Sequence, residues 1–99
     1  MATQYPIGYP PFGGSASSLD ITAVKVVKAS QGVCYNVSVT VAGTTTGSVN
    51  DTATTGGVAA ANEIFSIPNT VGNYQIAFPF FTGLVITPGT GQTVSVSYA

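Results

Sequence analysis

Ninety-nine residues make a single domain, enough to bury roughly 60–65% of the unfolded chain's surface and hold one modest core. Only Asp20, Lys25, Lys28, Asp51 and Glu63 are charged, histidine is absent, and the formal charge is −1. Such a balance excludes electrostatic capture of nucleic acid or an anionic membrane, and it leaves little for acid/base chemistry.

The first 18 residues differ in composition from the rest. Tyr5-Pro6, Tyr9-Pro10-Pro11 and Phe12-Gly13-Gly14 form a Pro/aromatic stretch that passes into Ser15–Ser18. Proline fixes φ and withholds an N–H, so this stretch cannot occupy a central strand. Residues 1–18 read as an extended, partly polyproline arm, with Gly13–Ser18 a flexible joint to a β domain over residues 19–99. A frayed terminus is the alternative. Rings on a stiff segment need a surface to bury against. The candidate interface residues of the arm are therefore Tyr5, Pro6, Tyr9, Pro10, Pro11 and Phe12.

Leu19–Lys28 predicts one strand, bulged or buried partly on both faces: Leu19, Ile21 and Ala23 share a face, and the pattern then shifts through Val24, Val26 and Val27. Ala29–Gly32 is a turn. Val33–Val41 alternates strictly, placing Val33, Tyr35, Val37, Val39 and Val41 on one face and Cys34, Asn36, Ser38 and Thr40 on the other. Ala42–Gly47 reads as a loop with a mobile, solvent-facing tip. Gly47–Ala53 is a weaker strand, followed by a loop over Thr54–Gly57 and an irregular alanine run. Strands are expected at Glu63–Ile67, Asn73–Phe78, Leu84–Thr87 and Thr93–Tyr98, with Pro79 ending the second of these or forcing it to an edge.

About seven short strands separated by Gly/Pro/Thr turns, without a convincing helix, predict an all-β fold: a two-sheet antiparallel β-sandwich. The lack of tryptophan and of a Cys…Trp…Cys set argues against a true immunoglobulin domain. Jelly-roll and Ig-like topologies both remain open.

No motif carries chemistry. Asp20, Asp51 and Glu63 could pair as glycosidase carboxylates, but nothing in the sequence brings them together, so no catalytic residue is assigned. Asp51 suits a turn, its side chain accepting from nearby backbone N–H groups. Asn50-Asp51-Thr52 lacks the rest of a calcium loop, and Gly89-Thr90-Gly91 lacks the third glycine and helix of a dinucleotide fingerprint. No metal or cofactor is expected. Cys34, the single cysteine, allows no intrachain disulfide and reads as a buried or half-buried small side chain. Lys25 and Lys28 read as strand-edge lysines. In Phe78-Pro79-Phe80-Phe81 the three rings cannot all point inward from one strand, which makes Phe80 and Phe81 candidate interface residues. Met1–Gln4 has neither the basic start nor the apolar core of a signal peptide, and no run approaches the ~18 apolar residues of a membrane helix. The sequons at Asn36 and Asn50 are therefore expected to be incidental.

Three segments carry a likeness: Val26-Val27-Lys28-Ala29 running to Gly32; Ala42-Gly43 with Gly47–Asp51 and Ile67–Gly72; and Thr82–Gln92. Over Ile21–Tyr98 the chain resembles the small, charge-poor β-sandwich virion proteins of tailed bacteriophages, of the capsid decoration (cement) kind. The arm is outside the likeness. The resemblance implies a structural protein without an active site. It would be made in the host cytoplasm, seated on the outer capsid surface against the major capsid protein, and homo-oligomeric, as a trimer rather than a dimer. The alternative is a tail, fibre or receptor-adhesion module using the loops Ala42–Gly47 or Thr54–Val58.

Overall fold

A computed structural model describes residues 14–99. The arm candidates Tyr5, Pro6, Tyr9, Pro10, Pro11 and Phe12 lie outside them. The described chain forms eight strands: β1 Ala16–Ile21, β2 Lys25–Lys28, β3 Gly32–Val41, β4 Gly47–Asn50, β5 Glu63–Ile67, β6 Gly72–Phe80, β7 Leu84–Thr87 and β8 Thr93–Tyr98. Short 3-10 turns occupy Thr55–Gly57 and Ala60–Asn62.

Two antiparallel four-stranded sheets result, ordered β1-β8-β3-β6 and β2-β7-β4-β5. First and last strands pair in one sheet, second and seventh in the other, and the chain crosses repeatedly between them. This is the eight-stranded jelly roll, two Greek keys folded together, and it resolves the choice of topology. Ile21, Cys34, Val37, Val39, Phe80, Val94 and Val96 from the first sheet meet Val49, Ile67, Leu84 and Ile86 from the second in one core.

Three expectations need correction. Leu19–Lys28 is not one strand, because β1 and β2 belong to different sheets and the chain crosses between them at residues 22–24. Ala16-Ser17-Ser18, expected in the flexible joint, are strand: they pair with Tyr98, Ser97 and Val96. Pairing to a full-length neighbour overrides the weak strand propensity of serine.

The third correction concerns the face of β3. Asn36 lies opposite Gln75 but Cys34 lies opposite Phe78, so β6 carries one extra residue there. Tyr35 is in turn the extra residue of β3 against β8. These bulges break the alternation, and Cys34 joins Val37 and Val39 inside while Val33 and Tyr35 are only half-buried and Val41 is exposed. The same device acts in β1, where Leu19 and Asp20 together oppose Ser95. Ser18 and Ile21 consequently face inward, and Leu19 is exposed.

Candidate functional site

The end of the sandwich where β3 begins and β6 and β8 finish carries the largest exposed ring of the described residues. Gly32, Val33 and Cys34 pair with Phe80, Pro79 and Phe78. Ala99 and Val33 exchange backbone hydrogen bonds of 3.0 and 2.9 Å. Between these chain ends lies an open cleft of about 400 Å³, lined by Lys28, Gln31, Val33, Pro79, Phe81 and Ala99 among others.

The two aromatic candidates part company here. Phe80 is 1% exposed and packs in the core, so it is corrected from interface candidate to core residue. Its inward position follows from its place opposite Gly32, the one residue of β3 with no side chain to compete for that space. Phe81, just past the strand, is 74% exposed, and Phe78 is 47% exposed.

The backbone that carries Phe81 is bonded to a remote carboxylate. Asp51 Oδ2 accepts from the Phe81 N–H at 3.0 Å, and Oδ1 accepts from Thr82 and Gly83 N–H at 2.8 and 3.2 Å. Sequence reading expected Asp51 to serve a turn; it does, but the turn lies some thirty residues along the chain. Slight desolvation pushes the carboxyl's pKa up, and the three N–H donors outweigh it, leaving the group more acidic than an ordinary aspartate. Gly83 belongs to the same joint: a Cβ there would sit 2.5 Å from the Thr52 carbonyl oxygen and 2.8 Å from that of Lys28.

The other candidates resolve into structure. Asn50 is buried, accepts from Ser48 Oγ at 2.8 Å, and donates to Ala59 O and Asn62 Oδ1 at 3.0 and 2.8 Å. Asn62 Nδ2 donates onward to Gly57 O at 2.8 Å, so the pair pins the loop between β4 and β5. Gln92, also buried, accepts from Gly89 N–H and donates to Pro68 O. Asp20 stands at φ 56 in the β1 bulge, its amide donating to Ser95 Oγ at 3.2 Å. Glu63 opens β5 opposite Asn50. Among the described residues no group of three or more acidic, cysteine or histidine side chains could hold a metal ion.

Lys25 and Lys28 lie on β2, an edge of its sheet, as expected. Lys25 Nζ donates to Ser18 Oγ at 2.8 Å, tying the β2 edge to β1 of the other sheet. β6 is likewise an edge strand, which accommodates Pro79. The Ala42–Gly47 tip is largely exposed as expected, and it is tied: Thr44 N–H donates to Thr90 O at 2.9 Å and Thr90 N–H to Thr45 Oγ1 at 2.8 Å. Sequence reasoning did not single out Val33, Ala99 or Leu19 as surface features. The bulges, which alternation conceals, turn Leu19 outward and leave Val33 half-buried.

No protein-family model, no curated protein and no solved structure matches this chain.

Proposed function

We propose that this chain is a structural virion protein of a tailed phage, a decoration (cement) protein that attaches to the outside of the head through the aromatic end of its jelly roll. The observation that carries the reading is Phe81: a large ring, three-quarters exposed, beside an open cleft, on a turn whose Phe81, Thr82 and Gly83 N–H groups all donate to Asp51. An exposed aromatic on a hydrogen-bonded turn beside a pocket has the make-up of an interface anchor. So few charges and a net charge near zero promote association, which favours a life within an assembly. Jelly rolls build many viral capsid domains, an analogy of fold alone. The partner in this reading is the major capsid protein, with copies of the chain associating as a trimer.

A tail, fibre or adhesion module is the second reading. It draws on the Thr44–Thr45 and Thr90 loops, which are exposed yet hydrogen-bonded to each other, a pre-ordered surface suited to a receptor. Imaging of assembled particles with the chain labelled distinguishes the two. Many copies spread over the head support decoration, a few at one vertex support the tail or fibre, and absence from the particle contradicts both.

A further inference from the structure

The outer face of the first sheet holds a second recess. Val94 and Val96 of β8 and Val37 and Val39 of β3 pack inward, so alternation turns Ser95, Ser97, Asn36 and Ser38 to the outside of these two central strands. Ladder pairing sets them in two rows. Ser17, Ser97 and Asn36 form one; Ser95, Ser38 and Asn73 form the other, with Leu19 and Asp20 together opposite Ser95. The central side chains are half-buried, while Ser17, Leu19 and Asn73 on the edge strands are exposed. The result is a shallow trough of about 290 Å³, floored by β8 and β3 and walled by β1 and β6.

Every polar side chain in this lining is neutral and able both to donate and to accept. Two hydroxyls are already oriented: Ser95 Oγ accepts from the Asp20 N–H at 3.2 Å, and Ser97 Oγ from Asn36 Nδ2 at 3.1 Å. Each keeps its own proton to donate. The side chains of Ser38 and Asn73 make no hydrogen bond among the described residues. Leu19, turned outward by the β1 bulge, adds an apolar wall.

A sugar ring matches this set. Its hydroxyls donate and accept around the rim, and its C–H faces pack against an aliphatic side chain. A negatively charged glycan does not match, because both lysines lie on β2 of the other sheet and Asp20 stands beside Leu19. The side chains stand on paired strands, so little ordering accompanies binding.

We propose that this trough binds a neutral saccharide, with Ser38 and Asn73 bonding its hydroxyls and Leu19 covering a ring face. The site shares no lining residue with the aromatic cleft, so the proposal does not rest on attachment through Phe81.

Titration of the isotope-labelled full-length protein with cellopentaose, maltopentaose and mannopentaose, followed by NMR, tests it. At least one should bind with a Kd of about 1 mM or tighter and move the signals of Asn36, Asn73, Ser95 and Ser97. Leu19→Ser and Asn73→Ala, both at exposed positions, should each weaken that binding about three- to ten-fold with melts unchanged. Val24→Ser, an equally exposed apolar position away from the trough, should leave it as it was. Absence of binding by all three sugars at about 10 mM would overturn the proposal, as would shifts confined to other residues or tighter binding of a sulfated oligosaccharide. Movement of the same signals on raising the protein concentration without sugar would also overturn it, assigning the face to a second copy.

Discussion

At Cys34 the alternation of β3 points a thiol outward, yet the side chain is fully enclosed and burial pushes its pKa up to about 12. A thiolate is the reactive form and the thiol is enclosed, so alkylation at pH 8 should be strongly slowed in the native protein relative to denaturant. Labelling at similar rates in both would contradict the burial. Val37, one bulge further along, is also fully buried. Val37→Asp places an unpaired carboxylate in the core at a cost of about 4 kcal/mol or more, a large share of a stability of roughly 5–15 kcal/mol. Ser38→Asp, half-buried on the neighbouring position, should shift the melt little. Equal small losses in both variants would refute the assigned register. Asp51 is a test of the clamp. Its pKa is lowered in the folded chain, so its contribution is present above the unfolded value and is lost as pH falls through the folded one. Melts of the parent should lose stability below about pH 4, and Asp51→Asn should be less stable at neutral pH and flatter in that acidic window. Parallel curves would remove Asp51 from the account.

At the scale of elements the bulges govern what was legible. Glu63–Ile67, Leu84–Thr87 and Thr93–Tyr98 form the strands that their β-branched and aromatic content predicts. Pro68, Gly83 and Pro88 mark three of their boundaries in the chain itself. The β1–β2 corner at Thr22-Ala23-Val24 carries no such mark, so one apolar run reads as one strand although it serves two sheets. The inward turn of Cys34 is equally hidden, because Tyr35, which causes it, is an extra residue only against β8, its partner across the ladder. The extra residue of β6 at the same level has a measurable cost. Ala77, beside Ile76 in the bulge, holds φ 46, a conformation disfavoured by roughly 1–2 kcal/mol for a residue with a Cβ. Ala77→Gly relieves it at some entropic expense, for a net gain of roughly 0.5–1 kcal/mol and a melt a few degrees higher. An unchanged or lower melt would mean that the left-handed backbone is not a source of strain.

For the whole molecule, the jelly-roll order places the first strand beside the last and so brings the arm's root, the Phe81 turn and the end of β8 to one end of the sandwich. That gathering is long-range and was not legible in the sequence, where Phe81, Asp51 and Gly14 lie far apart. The presence of an exposed aromatic was legible, since three rings within four positions cannot all be core; which ring it was depended on the register with Gly32. Two of the four edge strands carry residues that discourage unwanted pairing, lysines on β2 and Pro79 on β6. Attachment through the aromatic end is the central claim, and rebinding of purified full-length protein to phage heads that lack it tests that claim most directly. Burying a phenylalanine contributes roughly 1.5–3 kcal/mol, so Phe81→Ser should weaken binding about ten- to a hundred-fold while leaving the melt unchanged. Binding of Phe81→Ser at the native level, or failure of the native protein to bind heads at all, would contradict it.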